Sequence, residues 1–267
     1  MSQKPDPHIS AEVKINLTIL VLGAMVMILN ETALSVALPT IMADFGIPAT
    51  SAQWLLTGFL LTMGVVIPTT GFLMDKFTTR QIFLASSGVF LAGTVLAALA
   101  PAFGVLLVGR VFQAAGTALM IPTLMTVAMT LVPPQRRGSV MGIISVVISV
   151  APALGPTVGG FVLSMSSWHV IFWTMVPLLG LICAAGYFRL VNVGDKRDTP
   201  LDFPSVILSV LAFGGLVYAV SSLENILEGE GLIDILVLAI GLVALALFTL
   251  RQVRLAKDNR ALLDMRP

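Results

Sequence analysis

The chain has 267 residues, of which 57% are hydrophobic and only 11% charged, with 15 Lys+Arg against 14 Asp+Glu for a net charge of +1. A soluble domain carries about 25% charged residues and clothes its surface in polar groups, while disorder requires low hydrophobicity; both are excluded, and the solvent that suits this composition is lipid. No basic cluster suggests a nucleic-acid partner, the single cysteine, Cys183, leaves no disulfide framework, and His8 and His169 are too few and too far apart in sequence for a metal centre.

Each membrane-spanning helix needs about 20 apolar residues. Eight apolar runs of that order are predicted, at 14–38, 52–74, 82–100, 103–131, 139–165, 168–190, 204–223 and 232–251. The breaks between them hold turn and cap residues: Pro39 with Asp44, Asp75 to Thr79, Pro101, Pro133-Pro134, Ser166-Ser167, Thr199-Pro200, and Glu228 to Gly231. In hydrocarbon every amide must be satisfied within its own segment, so the runs are helices. No cleavable signal peptide is expected, because the first run is long and no small-residue cleavage site follows it.

Basic residues give the orientation. With the N-terminal side taken as inner, the inner connections and tail hold Lys4, Lys14, Lys76, Arg80, Arg136, Arg137, Arg189, Lys196, Arg197, Arg251, Arg254, Lys257, Arg260 and Arg266, and the outer connections hold none. Asp44, Glu224, Glu228, Glu230 and Asp234 fall outside. The positive-inside rule predicts both termini in the cytoplasm.

Two charges remain inside spans, Glu31 in the first and Arg110 in the fourth. If Pro39 and Pro101 mark the outer helix ends, each charge lies roughly 12 Å below the surface. Each costs about 2.5–3.5 kcal/mol on insertion scales. A structural ion pair, or an arginine snorkelling to the interface, is one reading. The other is a polar cavity in which Glu31 takes up and releases a proton beside Arg110. Asn30, Thr32 and Gln113 add polar lining, with Gln113 three residues from Arg110 on the same helical face.

Between spans two and three the chain reads Gly71-Phe-Leu73-Met-Asp75-Lys76-Phe-Thr78-Thr79-Arg80. Asp75, Lys76 and Arg80 form a charged cluster at a helix end, able to pair with a neighbouring helix end and to break when helices rock. Span four carries Arg110-x-x-Gln113-Ala-Ala-Gly116. Span five carries Gly142, then Ala151-Pro152-Ala-Leu-Gly155-Pro156-Thr-Val-Gly159-Gly160, where prolines remove amide donors and glycines admit a close neighbour.

These segments resemble motifs of the major facilitator superfamily. Gly71, Leu73, Asp75, Lys76 and Arg80 match its loop signature G-x-L-x-D-(R/K)-x-G-(R/K), with Thr78 in place of the glycine and Thr79 in place of a basic residue. Span four resembles R-x-x-Q-G-x-G, whose arginine is linked to proton coupling, with Ala114 for the first glycine. Gly142, Gly155, Pro156, Gly159 and Gly160 match the exporters' antiporter motif G-x8-G-x3-G-P-x2-G-G, with Ala151 for the middle glycine. Asn30-Glu31-Thr32 through Ala37-Leu38-Pro39 is similar to the D-x-T-x-x-x-x-A-L-P stretch of the fourteen-helix drug:proton antiporters, with Asn30 at the aspartate position. Trp168 to Pro177, Asp202 to Ser205 and Leu262 to Arg266 also look like that group.

The resemblance implies an all-α integral membrane protein: a six-helix N-terminal bundle over 14–190, an additional helix pair over 204–251, a tail at 1–13, a linker at 191–203 and a second tail at 252–267 leading to a C-terminal bundle. It implies proton-coupled export of amphipathic or cationic compounds from the cell membrane, driven by the proton motive force with no cofactor, and it reads the chain as a fragment that meets the C-terminal half of the transporter. Taken with the residue reading, the candidate site residues are Glu31, Arg110, Asn30 and Gln113 for proton and substrate, Gly71, Asp75, Lys76 and Arg80 for the cytoplasmic gate, and Gly142, Pro152, Gly155, Pro156, Gly159 and Gly160 for the flexing helix. A narrower exporter of a metabolite, peptide or lipid-like compound and a non-transporting membrane component are the alternatives. An enzyme is the least expected class, since no nucleophile–base pair or metal-ligand cluster stands out.

Overall fold

The computed structural model describes residues 9–193, 203–223 and 232–257. Eight helices run through them: α1 (Ala11–Phe45), α2 (Ala49–Lys76), α3 (Thr79–Ala98), α4 (Phe103–Leu131), α5 (Pro134–Met165), α6 (His169–Arg189), α7 (Phe203–Ser221) and α8 (Leu232–Lys257). Seven are long and apolar enough to cross a membrane, and α7 has a shorter apolar stretch, Pro204–Val220. The predicted Thr199-Pro200 break, Lys196, Arg197, Glu224, Glu228, Glu230 and the Leu262–Arg266 tail lie outside the described residues.

Helix ends follow local chemistry, with one correction to the sequence reading. The Ser10 hydroxyl caps α1 by accepting from the Val13 N–H at 3.3 Å. Pro39 does not end that helix. Its ring fits helical φ and it forfeits one amide donor, so α1 continues to Phe45 and stops at Gly46, whose left-handed φ of 62° and N–H to Met42 O close it. Glu31 is therefore about 21 Å from the end of α1. Thr78, the residue that departs from the loop signature, is the N-cap of α3 in a reciprocal capping box with Gln81.

α3 packs along α4 and α6, α1 packs against α5, α6 and α4, and α2 packs against α4. Two apolar clusters fill the bundle. One contains Leu20, Met27, Phe83, Phe90, Met120 and Leu124, at the end carrying Lys14 and Arg80. The other contains Leu34, Ile41, Leu55, Leu106, Trp168 and Phe172 toward the opposite end. At that end Trp168 Nε1–H donates to Asp44 Oδ2 at 2.7 Å and ties α1 to the start of α6. The polar residues of α1, α3 and α4 form a layer between the clusters.

α7 packs on α2 and on α8, and among the described residues α8 packs on α7 alone. Gly64 faces Val217, Gly214 faces Val65, and Gly215 meets Gly241 backbone to backbone. Gln252 Nε2–H donates to Ser205 Oγ at 2.9 Å. Among the described residues the additional pair packs closely on itself and meets the bundle through α7.

Candidate functional site

The polar layer is built around Arg110. Arg110, Gln113, Asn30 and Thr94 are each 0% exposed. Arg110 Nη1–H donates to Gln113 Oε1 at 3.0 Å, and Nε–H donates to the Leu55 carbonyl of α2 at 3.3 Å. The guanidinium carbon stands 4.2 Å from the Phe59 ring centroid, a cation–π placement. Gln113 Nε2 donates to Asn30 Oδ1 at 3.1 Å and to Thr94 Oγ1 at 2.9 Å. The Thr94 hydroxyl donates in turn to the Phe90 carbonyl at 2.8 Å. Four helices therefore meet at one glutamine amide and one guanidinium.

Close backbone approach makes these bonds possible. A Cβ at Gly93 would lie 2.6 Å from Gly109 O, and one at Gly116 would lie 2.6 Å from Ser86 O. Without side chains at these positions, α3 and α4 come near enough for Thr94 to reach Gln113. The Ser86 hydroxyl uses the same approach to donate to Gly116 O at 2.7 Å.

Glu31 is half-buried on the adjacent face of α1, about 100° around from Asn30. It lies within the electrostatic reach of Arg110. Among the described residues no hydrogen bond or ion pair joins the two. Sequence reasoning paired Glu31 with Arg110, whereas the bonded partner of the arginine is Gln113 and, through it, Asn30. Thr94, Phe59 and the Leu55 carbonyl were missed. Thr94 follows Gly93 directly, and that small–polar pair was the available signal; a backbone carbonyl leaves none.

Helix α5 grips the same turn of α1 from the other side. A Cβ on Gly155 would run into the Thr32 hydroxyl and lie 2.9 Å from Ala33 N, and one on Gly159 would lie 2.6 Å from Ala33 O. Among the described residues Gly142 and Gly160 meet nothing within 4 Å, so the close contact uses two of the motif's glycines. α5 runs through Pro152 and Pro156 without interruption.

The loop cluster is spread apart. Gly71, Asp75 and Lys76 are exposed at the end of α2. Arg80 turns the other way, its guanidinium 4.7 Å above the Tyr187 ring and its backbone N–H donating to Asn192 Oδ1 at 3.2 Å. Val193 N–H donates to Thr79 Oγ1 at 3.2 Å and Val191 N–H donates to Asn16 Oδ1 at 3.1 Å. Arg80 and its neighbours thus hold the chain leaving α6, while Asp75 and Lys76 stay at the surface.

The Major Facilitator Superfamily profile matches residues 20–256. The uncharacterized MFS-type transporter YcnB of Bacillus subtilis is 44% identical over 240 residues, 90% of this chain and 50% of the relative. Lincomycin resistance protein LmrB of the same organism is 41% identical over 237 residues, 87% of this chain and 49% of the relative. A multidrug resistance protein B homolog of Mycobacterium tuberculosis is 31% identical over 209 residues, 76% of this chain and 37% of the relative. Among solved structures, a peptide transporter in complex with sulfate superposes with a TM-score of 0.65 at 17% identity, covering 91% of this chain and 52% of that one; this likeness concerns the fold alone. The chain spans about half the length of the curated relatives it matches.

Proposed function

The chain belongs to the major facilitator superfamily and is a multi-pass protein of the cell membrane, and on that premise we propose that it supplies the N-terminal bundle of a proton-coupled exporter of drugs or other hydrophobic or cationic compounds. The observation that carries this reading is a fully buried arginine held by Gln113 and Leu55, with a half-buried acid, Glu31, one residue from the network's Asn30. A charge in the membrane interior is expensive and marks an ion or substrate path. Lincomycin and multidrug resistance in the names of the relatives support a drug cargo.

In this mechanism Glu31 takes a proton on the outer side, where its charge is least stabilised, and releases it when rearrangement brings it under the influence of Arg110. Transporters of this kind rock two bundles about a site near the midplane. The second bundle would be the C-terminal partner, meeting exposed Asp75 and Lys76 at the cytoplasmic gate. Helix α5, with Pro152 and Pro156, would flex while Gly155 and Gly159 stay against α1. The basic end faces the cytoplasm in this reading.

The test is dye efflux driven by a proton gradient, with the complete reading frame expressed in a pump-deficient host. Glu31→Gln and Arg110→Ala are each expected to reduce efflux at least tenfold at equal membrane abundance. Unchanged efflux in both variants would overturn the roles assigned here. A single transported compound among many tested would favour the narrower exporter.

A further inference from the structure

The hydrogen bonds of the polar layer have a direction, and it leaves a surplus of donors. Arg110 only donates, so the oxygen of Gln113 must face it. The nitrogen of Gln113 then faces Thr94 and Asn30. Thr94 has committed its own hydrogen to Phe90 O and so accepts. Asn30 must also present its oxygen, which turns its NH2 group away. No amide flip relieves this arrangement. Reversing Gln113 would set its NH2 against a guanidinium, and reversing Asn30 would set two NH2 groups together. The chain of bonds ends in two buried donors without an acceptor among the described residues, Arg110 Nη2 and Asn30 Nδ2, separated by the single amide of Gln113.

The surplus is also one of charge. The other edges of the guanidinium are taken by Leu55 O and Gln113, and its face by Phe59. Every bonded partner is neutral. Glu31 shares the field but, among the described residues, makes no hydrogen bond or ion pair with the guanidinium. A buried positive charge is costly until an opposite charge meets it directly.

We infer that the open Nη2 edge of Arg110 is a seat for one small anionic acceptor, a halide or a carboxylate group. A neutral acceptor would answer a donor but leave the charge, whereas an anion answers both. A bond to an ionised partner is also the stronger kind. The inference deepens the reading above by giving the same network a second ligand, and it rests on that reading only for a part in transport. The anion comes from solution as chloride or arrives as a carboxylate on the cargo.

The experiment uses the complete protein in detergent micelles, with no gradient. Thermal unfolding is followed in sodium gluconate while chloride or acetate replaces gluconate at constant ionic strength and pH. Chloride is expected to raise the Tm by several degrees along a saturating curve. An equal response to acetate shows that a carboxylate also enters the seat, as one carried by a cargo would; a response to chloride alone assigns the seat to an inorganic ion. Asn30→Asp replaces the orphaned Nδ2 donor with a fixed carboxylate in the same network and is expected to weaken the chloride response at least tenfold. Insensitivity to both anions in the wild type, or an undiminished response in Asn30→Asp, overturns the inference. Sensitivity that emerges only in Glu31→Gln also overturns it, by showing that Glu31 fills the seat itself. If Asn30→Asp does not accumulate, equilibrium dialysis of radiolabelled chloride against the wild type decides: about one chloride per chain supports the seat and none overturns it. Loss of efflux in Glu31→Gln is read separately, so either idea can fail alone.

Discussion

Two helices hold the same turn of α1 by opposite means. On one side α4 reaches it with a polar side chain, Gln113 bonding to Asn30 in a fully buried layer. On the other side α5 presents no side chain, and Gly155 and Gly159 bring its backbone against Thr32 and Ala33. The polar seam depends on complementary donors and acceptors, so a change of one group strands others. The glycine seam depends on volume, so a single methyl group is enough to open it. Glu31 stands between these two seams, which makes the pair of contacts the means by which its position is set.

The largest effect is expected from Gln113→Leu, which keeps the volume but strips a neutral acceptor from Arg110 and the donor that serves both Asn30 and Thr94. Leaving a buried polar group unsatisfied costs about 1–3 kcal/mol, more where the group is charged, and with three groups stranded denaturant titration in micelles should read a loss at or above the top of that range. Gly159→Ala comes next. Its new methyl meets the Ala33 carbonyl, which is backbone and cannot rotate away, and overpacking of this kind costs about 1–3 kcal/mol. Reduced membrane abundance together with a lower Tm checks it. If Gly159→Ala were neutral, α1 and α5 would not be in the described contact.

Thr94→Val removes one acceptor from Gln113 and should cost about 1 kcal/mol, visible as a small shift in the same titration with folding intact. The smallest effects belong to Gly142→Ala and Gly160→Ala, where the added methyl meets nothing within 4 Å. Alanine is the better helix former by about 1 kcal/mol, so both should be neutral or slightly stabilising. Equal losses at all four glycines would remove the distinction drawn between packed and open positions of one motif.

Much of the fold was legible in sequence because lipid imposes a strict rule. Each apolar run of spanning length must satisfy its amides internally, so eight runs became eight described helices. The motif around Arg110 placed Gln113 on the right face because positions three apart on a helix share a face. Pro39 misled because proline reads as a stop, although it is sterically permitted in a helix that tolerates one missing bond. Thr78 looked like a weakened loop signature and proved to be the cap of α3.

Composition, span length and the spacing of Arg110, Gln113 and Gly155 through Gly160 were properties of the chain alone, since each depends on local periodicity or on the solvent a segment requires. Which partner each group took was decided only by tertiary structure. Arg110 bonds Gln113 and a backbone carbonyl with Glu31 nearby and unbonded, Arg80 lies over Tyr187 while Asp75 stays exposed, and two of four motif glycines touch a neighbour among the described residues. The physical reason is common to all three. A side chain's face follows from its position in one helix, but its partner depends on how closely a second helix approaches, and glycines such as Gly93 and Gly109 on both helices set that distance together.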